Sequence, residues 1–309
     1  MTSFFHFLFK RLLYAIPVLF AVSSLTFLIE HQVPGGPFDS EKKLPPEILK
    51  NVEAKYGLNR PVTEQYLDYL KGLLQGDFGP SYKYAGRSVN DIIRDTLPVS
   101  IRLGLGAFAV SIGFGLLFGV LSARFRDSWI DRISLTVSSG GLSLPTFVLG
   151  SFLVFLFSIK LRWLPPALWE GWSYGVLPSL TLGIGSASYL ARLIRTGLLE
   201  AESKDFVRTA RASGIPEWKI LLHILRHAAI SVITVSGPLL AGLLTGSFIV
   251  EYLFSVPGMG RYFVTAVTNR DYPLIMGVTQ IYALFIVLAN IGVDLLYYGF
   301  DPRIERSED

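Results

Sequence analysis

In the stretch "KDFVRTARASGIPEWKILLHILRH" (Lys204–His227), Arg208 and Arg211 stand three apart. On a helix that spacing puts both guanidinium groups near one face, where they can meet anionic lipid or a protein in the cytoplasm. His223 and His227 are four apart, a spacing compatible with a metal ion, but no third ligand lies nearby and no metal is expected. Farther on, Glu251, Arg261, Arg270 and Asp271 set both signs of charge between two apolar runs. They could steer a charged solute at an outer mouth, or pair with one another. Asp294 lies near the end of the last apolar run, where structural anchoring is its default role. The patterns of a hydrolytic metal site are missing: there is no His-Glu-x-x-His and there are no paired carboxylates within an apolar run. Without a Gly-Lys pair a phosphate-binding loop is impossible, and without cysteine there is neither a disulfide nor a thiolate site.

The elements that hold these residues are legible in the charge pattern. Hydrophobic residues make up 51% of the 309. Six stretches, 12–29, 103–123, 133–159, 171–191, 227–250 and 274–293, contain no Asp, Glu, Lys or Arg. Each is long enough to cross a bilayer at about 1.5 Å per residue. An all-α, polytopic membrane protein of six transmembrane helices is expected, because backbone in lipid must satisfy its own hydrogen bonds. Residues 1–30 read as a retained first span: the run "LLYAIPVLFAVSSLTFLI" outlasts a signal-peptide core, and no clear cleavage site follows. The net charge of +4 implies no nucleic-acid partner, since the cations cluster beside apolar runs. Gly115 with Gly119, and Gly242 with Gly246, have the small-xxx-small spacing of closely packed helices, with gating as the sharper alternative. Pro17, Pro145, Pro178 and Pro238 fall in or near spans and permit kinks.

Six spans put both termini on one side. The segments on that side, 1–11, 124–132, 192–226 and 294–309, hold two, three, seven and two Lys or Arg. The short opposite segments, 160–170 and 251–273, hold two each. The bias places both termini and the 192–226 loop in the cytoplasm. Four ranges follow: 1–30 with the first span, an external segment 31–102, a five-helix core 103–299 that includes an inner loop 200–227, and a cytoplasmic tail 300–309. Within 31–102, Ile48, Leu49, Val52 and Tyr56 have helical spacing with Gly57 as a C-cap, and Tyr66, Leu67, Leu70 and Leu74 repeat the pattern. Two short amphipathic helices there would form a lid on the spans or a platform that also meets a partner.

In the inner loop, Ser203 can cap a helix that starts at Lys204, with Asp205 in its first turn. Phe206, Val207 and Ala210 form a narrow apolar stripe, and Gly214 suits the left-handed position that ends a helix. Pro216 suits the first turn of the next helix, where Trp218, Leu221, Leu222 and Leu225 make a second stripe. The pattern is two short helices joined by a tight turn. From these residues alone, a basic interfacial helix held by anionic lipid remains as good a reading as a protein contact.

The stretch is similar to the signature loop of ABC importer membrane subunits, which runs Glu-Ala-Ala, three residues, Gly, nine residues, Ile-x-Leu-Pro. Gly214, Ala210 and Ile224 match, while Arg208-Thr209 replace Glu-Ala and Arg226-His227 replace Leu-Pro. The opening "RTARASG" resembles the peptide-transporter branch. So do "VPGGPF" (33–38), "LPPE" (44–47), "EAKYGL" (53–58), "GDFGPSYKY" (76–84), "GSFIVEYLFSVPGMGRYF" (246–263), "NRDYPL" (269–274) and "DPRI" (301–304). Taken in order over nearly the whole chain, they resemble the B-type membrane subunit of oligopeptide permeases. The resemblance implies a type I-like ABC importer membrane domain in a bacterial inner membrane. It implies a second, similar membrane subunit, two ATP-binding subunits and an external substrate-binding protein as partners, besides membrane lipid. ATP and magnesium would bind to the partner subunits and no cofactor to this chain. It assigns the contact with the ATPase to Ser203, Asp205, Phe206, Arg208, Thr209, Ala210, Arg211, Gly214, Ile215 and Pro216. Glu251, Arg261, Arg270 and Asp271 would stand on the path of a peptide, steering its amine and carboxylate. Related cargoes are dipeptides, nickel chelates and antimicrobial peptides. An ion-coupled secondary transporter is the competing class, which charge-free spans disfavour.

Overall fold

The computed structural model describes residues 2–38, 46–245 and 248–300. Gly246, the Leu44-Pro45 start of "LPPE" and Asp301–Ile304 lie outside the described residues. Among the described residues the chain is helical, with one isolated bridge between Pro80 and Ser88 in place of any strand. The helices are α1 (Thr2–Gln32), α2 (Pro46–Tyr56), α3 (Val62–Leu74), α4 (Val89–Arg124), α5 (Trp129–Ser143), α6 (Thr146–Leu153), α7 (Val176–Glu202), α8 (Asp205–Ala212), α9 (Glu217–Thr245), α10 (Phe248–Leu253), α11 (Met259–Asn269) and α12 (Tyr272–Phe300). A π-helical turn, Val154–Lys160, extends α6, and a 3-10 turn, Trp172–Gly175, precedes α7.

By length and composition, α1, α4, α12 and the α9–α10 stretch are apolar enough to cross a membrane, and the α5–α6 pair counts as a fifth candidate. The stretch 171–191, expected to be a span, falls largely on the 27-residue α7, which is long enough but does not pass on apolarity. The stretch 133–159 is not one straight helix. It bends by 112° between α5 and α6. The cause is local: Pro145 has no N–H to continue the ladder, and it confines Leu144 to extended backbone, at ψ 128°.

The chain divides into two compact units. One comprises Met1–Ser100 with Pro257–Phe285, the other Ile101–Val256 with Ile286–Asp309. These lines differ from the ranges expected from charge alone. In the first unit, Val89, Ile92 and Ile93 of α4 pack with Met259 and Ala266 of α11 and Leu274 and Val278 of α12. The two expected outer helices are present as α2 and α3. α2 ends in a left-handed Gly57, with Leu58 N–H bonded to the Glu53 carbonyl at 2.9 Å.

In the second unit the core is built from Leu190, Ile194 and Leu198 of α7 and Ile220, Ile224 and Ala228 of α9, with Val207 of α8 among them. α4 lies close against α7: a Cβ on Gly119 would stand 2.8 Å from the Ala191 carbonyl oxygen and 2.8 Å from Ile194 Cβ. Gly115 likewise meets Leu190, so this glycine pair serves close helix packing. Gly242 has open space beside it instead.

Candidate functional site

The inner loop is shorter than its charge pattern suggests. α7 continues to Glu202 and α9 begins at Glu217, so Arg192 and Arg195 are helical and only 203–216 connect the two long helices. The second helix of the expected pair is the first part of the 29-residue α9. The site is therefore one short helix, α8, set between the ends of two long ones.

Its start differs from expectation. Lys204, extended at φ −75° and ψ 152°, occupies the N-cap position and supplies no side-chain cap. Ser203 instead donates its hydroxyl back to the Glu200 carbonyl at 2.7 Å, because it still has helical backbone at the end of α7. Asp205 remains in the first turn, where the helix N-terminus favours its charge. The end follows expectation. Gly214 has φ +71°, its N–H bonds to the Arg211 carbonyl at 3.0 Å, and Ile215 N–H bonds to the Ala210 carbonyl at 3.1 Å. That pair of bonds is a Schellman motif, and it requires the left-handed residue. Pro216 stands just before α9, its carbonyl accepting from Lys219 N–H at 2.9 Å.

Two contacts fix α8 to its neighbours. Val207 is fully buried between α7 and α9. Burial of such a side chain contributes about 2 kcal/mol. Arg211 spans the three helix ends: its Nε donates to Glu217 at 2.9 Å and its Nη2 to Glu202 at 3.2 Å. These bonds, first to Glu217 and then to Glu202, raise the guanidinium further above its ordinary range. Arg211 is thus a strut within the chain. Phe206, Arg208 and Thr209 face outward, and Thr209 also bonds its hydroxyl to the Asp205 carbonyl at 3.0 Å. Among the described residues Arg208 makes no ion pair.

The second apolar stripe, Trp218, Leu221, Leu222 and Leu225, is exposed except at Leu225, which packs against the core. Trp218 is 61% exposed and Leu222 56%, while Ile220 and Ile224, two positions along, are buried. Periodicity finds both stripes and cannot rank them, because a membrane subunit offers apolar faces to lipid and to other subunits as well as to its own core. Beside the strut, Val120 and Ala123 of α4, Leu198, Trp218 and Leu221 line a groove of about 560 Å³.

A further junction was not singled out in the sequence. Asp131, near the start of α5, is 3% exposed and accepts two bonds from Arg195 of α7: Nε at 3.0 Å and Nη2 at 2.8 Å. Ser122 of α4 bonds it too, and Asp127 N–H at 3.0 Å closes the α4–α5 turn on it. A signal existed: Ser128 caps α5 and Asp131 stands three residues on, the spacing of a capping box.

The four outer residues do not form a ring of charge. Asp271 is fully buried and takes bonds from the Ser81 hydroxyl, Tyr82 N–H at 3.0 Å and Lys83 N–H at 3.3 Å. From its place just before α12 it organises the 81–83 turn. Glu251 is also fully buried, because the last turn of its helix folds into the second unit's core between Val250 and Phe254. Arg270 sits left-handed after α11, half-buried, with its guanidinium 3.4 Å from the Gly36 carbonyl. Only Arg261 is exposed. Asp294 is half-buried and His223 exposed, and among the described residues no three His, Asp or Glu side chains gather as metal ligands.

Residues 115–306 match the family described as "Binding-protein-dependent transport system inner membrane component", and residues 4–104 match its N-terminal counterpart. The oligopeptide transport system permease protein OppB of Haemophilus influenzae is 43% identical over 96% of this chain and 98% of that protein. The dipeptide transport system permease protein DppB of Bacillus subtilis is 39% identical over 96% of each. The glutathione transport system permease protein GsiC of Shigella flexneri is 39% identical over 96% of this chain and 97% of that protein. A chain of the MetNI methionine ABC transporter, in inward-facing conformations, superposes with a TM-score of 0.54 at 15% identity, covering 68% of this chain and 96% of that one. At that identity the likeness speaks for the fold.

Proposed function

The chain belongs to the family of binding-protein-dependent transport system inner membrane components, and on that footing we propose that it is a membrane subunit of an ATP-driven importer of oligopeptides. It is a multi-pass inner-membrane protein. In this reading it has six spans, with α7 as the span that fails on apolarity, and both termini lie in the cytoplasm. It pairs with a second, similar membrane subunit, two ATP-binding subunits and an external substrate-binding protein. With no phosphate-binding loop in its own sequence, it draws its energy from the ATPases.

The observation that carries the reading is the geometry of α8. A helix that receives motion must not absorb it. Here Val207 is pegged into the core, Arg211 ties the ends of α7, α8 and α9, and Gly214 sets the turn angle. The outward face, with Phe206, Arg208 and Thr209, is left to the ATPase, which docks on the residues from Ser203 to Pro216. When the two ATPases close on ATP, displacement of α8 passes into α7 and α9 as rigid rods. The paired membrane subunits then shift between inward-open and outward-open states, as differential contacts require. The Asp131–Arg195 junction joins α7 to the α4–α5 turn, so the movement reaches those helices also.

The test is reconstitution of the complete complex in lipid. ATP hydrolysis should rise several-fold with binding protein carrying a tri- to pentapeptide, and less with a dipeptide or nickel. Equal stimulation by every cargo would remove the oligopeptide assignment, and uptake by this chain alone would remove the reading altogether.

A further inference from the structure

Within the second unit, residues 160–172 follow the charge-free run 133–159 and lead into α7. They hold Trp163, Trp169 and Trp172, three of the chain's five tryptophans, and two of these stay in the open: Trp172 is 86% exposed and Trp163 70%. The exposure is held in place. Leu168, also exposed, has φ +82°, a backbone conformation that a side chain of its size resists, and its N–H is bonded to the carbonyl of the buried Phe254 at 2.8 Å.

Two of the indoles border a groove. Arg102, Gly106 and Val110 of α4 line about 360 Å³ together with Trp169, Trp172 and Leu180. That volume is within the roughly 300–1,000 Å³ of small-molecule sites. Arg102 is exposed and immediately precedes the charge-free run 103–123. Val110 lies inside that run, about 12 Å farther along the helix. The groove therefore passes from a cation to an apolar wall at the depth where lipid headgroups give way to hydrocarbon. The charge around it is one-sided. Among the described residues Arg102, Lys160 and Arg162 make no ion pair, and the segment's one acid, Glu170, accepts from the Tyr174 hydroxyl at 3.2 Å. A guanidinium takes two phosphate oxygens at once, and an indole settles at headgroup level with its ring toward the acyl chains. The gradient from charge to hydrocarbon depth fits a lipid better than a soluble protein.

We propose that this groove holds one anionic phospholipid, with its phosphate on Arg102 and the start of its acyl chains along Val110 and Leu180. Trp163, Leu168 and Trp172 seat the surrounding segment in the same leaflet, which is the outer one in the topology proposed above. The inference rests on the chain's place in the membrane and goes beyond peptide import.

Fluorescence quenching by spin-labelled lipid tests it on the assembled transporter. The chain has no cysteine, so Ser173→Cys, beside Trp172, carries a bimane in a complex whose other subunits lack reactive thiols. The nanodiscs are phosphatidylcholine, doped with 5-doxyl phosphatidylglycerol or 5-doxyl phosphatidylcholine. The phosphatidylglycerol should quench at about fivefold lower mole fraction than the phosphatidylcholine. Arg102→Gln should bring the two lipids level, and Arg102→Lys should keep most of the preference. Equal quenching by both lipids before substitution, or a preference that survives Arg102→Gln, would overturn the proposal. Quenching by neither lipid would overturn it by taking the groove out of the bilayer, and quenching lost on adding the binding protein would give the surface to that protein instead. ATP-driven peptide uptake by the same complex, measured alongside, keeps these outcomes separate from the transport reading.

Discussion

The turn around Asp271 and the loop around α8 both depend on charged side chains, yet they use them in opposite ways. Asp271 is fully buried, and its oxygens hold three donors of the 81–83 turn. In α8 the charges are exposed, and rigidity comes from one buried valine, a Schellman turn and the exposed Arg211 strut, which leaves Arg208 to face outward. A charge out of water is tolerable only when every lone pair is engaged, so it becomes structural. A charge in water costs little to hold and stays available to a partner.

Four substitutions probe that contrast, from the largest expected effect downward. Asp271→Asn puts an N–H where donors already point, and should lower the stability of the purified complex by about 3 kcal/mol, seen as a lower thermal midpoint. Asp131→Asn leaves Arg195 short of its counter-charge inside the second unit. A loss of about 3 kcal/mol or somewhat less is expected, together with fewer peptides carried per ATP hydrolysed. Gly214→Val forces a β-branched residue to φ +71° and should cut transport about tenfold, while membrane insertion, followed by fractionation, is unchanged. Arg208→Glu should lower co-purification of the ATPase several-fold with no change in thermal midpoint. If Arg208→Glu altered stability as Asp271→Asn does, the division between buried and exposed charge would fail.

Much of this was written in the chain. Charge-free stretches located the long helices, because lipid leaves the backbone no other partner. Gly214 announced the turn after α8, since a left-handed position selects glycine. What the pattern hid was tertiary. Ser203 is a good capping residue by type, but its backbone stays helical and its hydroxyl turns back to Glu200. Trp218 and Leu222 outrank Ile220 and Ile224 as an apolar stripe, and yet the isoleucines are buried. Glu30 stands just past the first charge-free stretch and reads as its polar end. Only the fold reveals that it is enclosed. Glu251 and Asp271 looked like a rim for the same reason: sequence gives the sign of a charge and not the direction in which it points.

The transfer of motion through α8 is tested most directly by a cross-link. The chain contains no cysteine, so Arg208→Cys provides a single reactive thiol. In the reconstituted complex, a short thiol-reactive linker should join that position to the ATP-binding subunit, with a yield that changes several-fold when ATP is added. Labelling of the same thiol from the outer face, or no cross-link in a complex that still imports peptide, would contradict it.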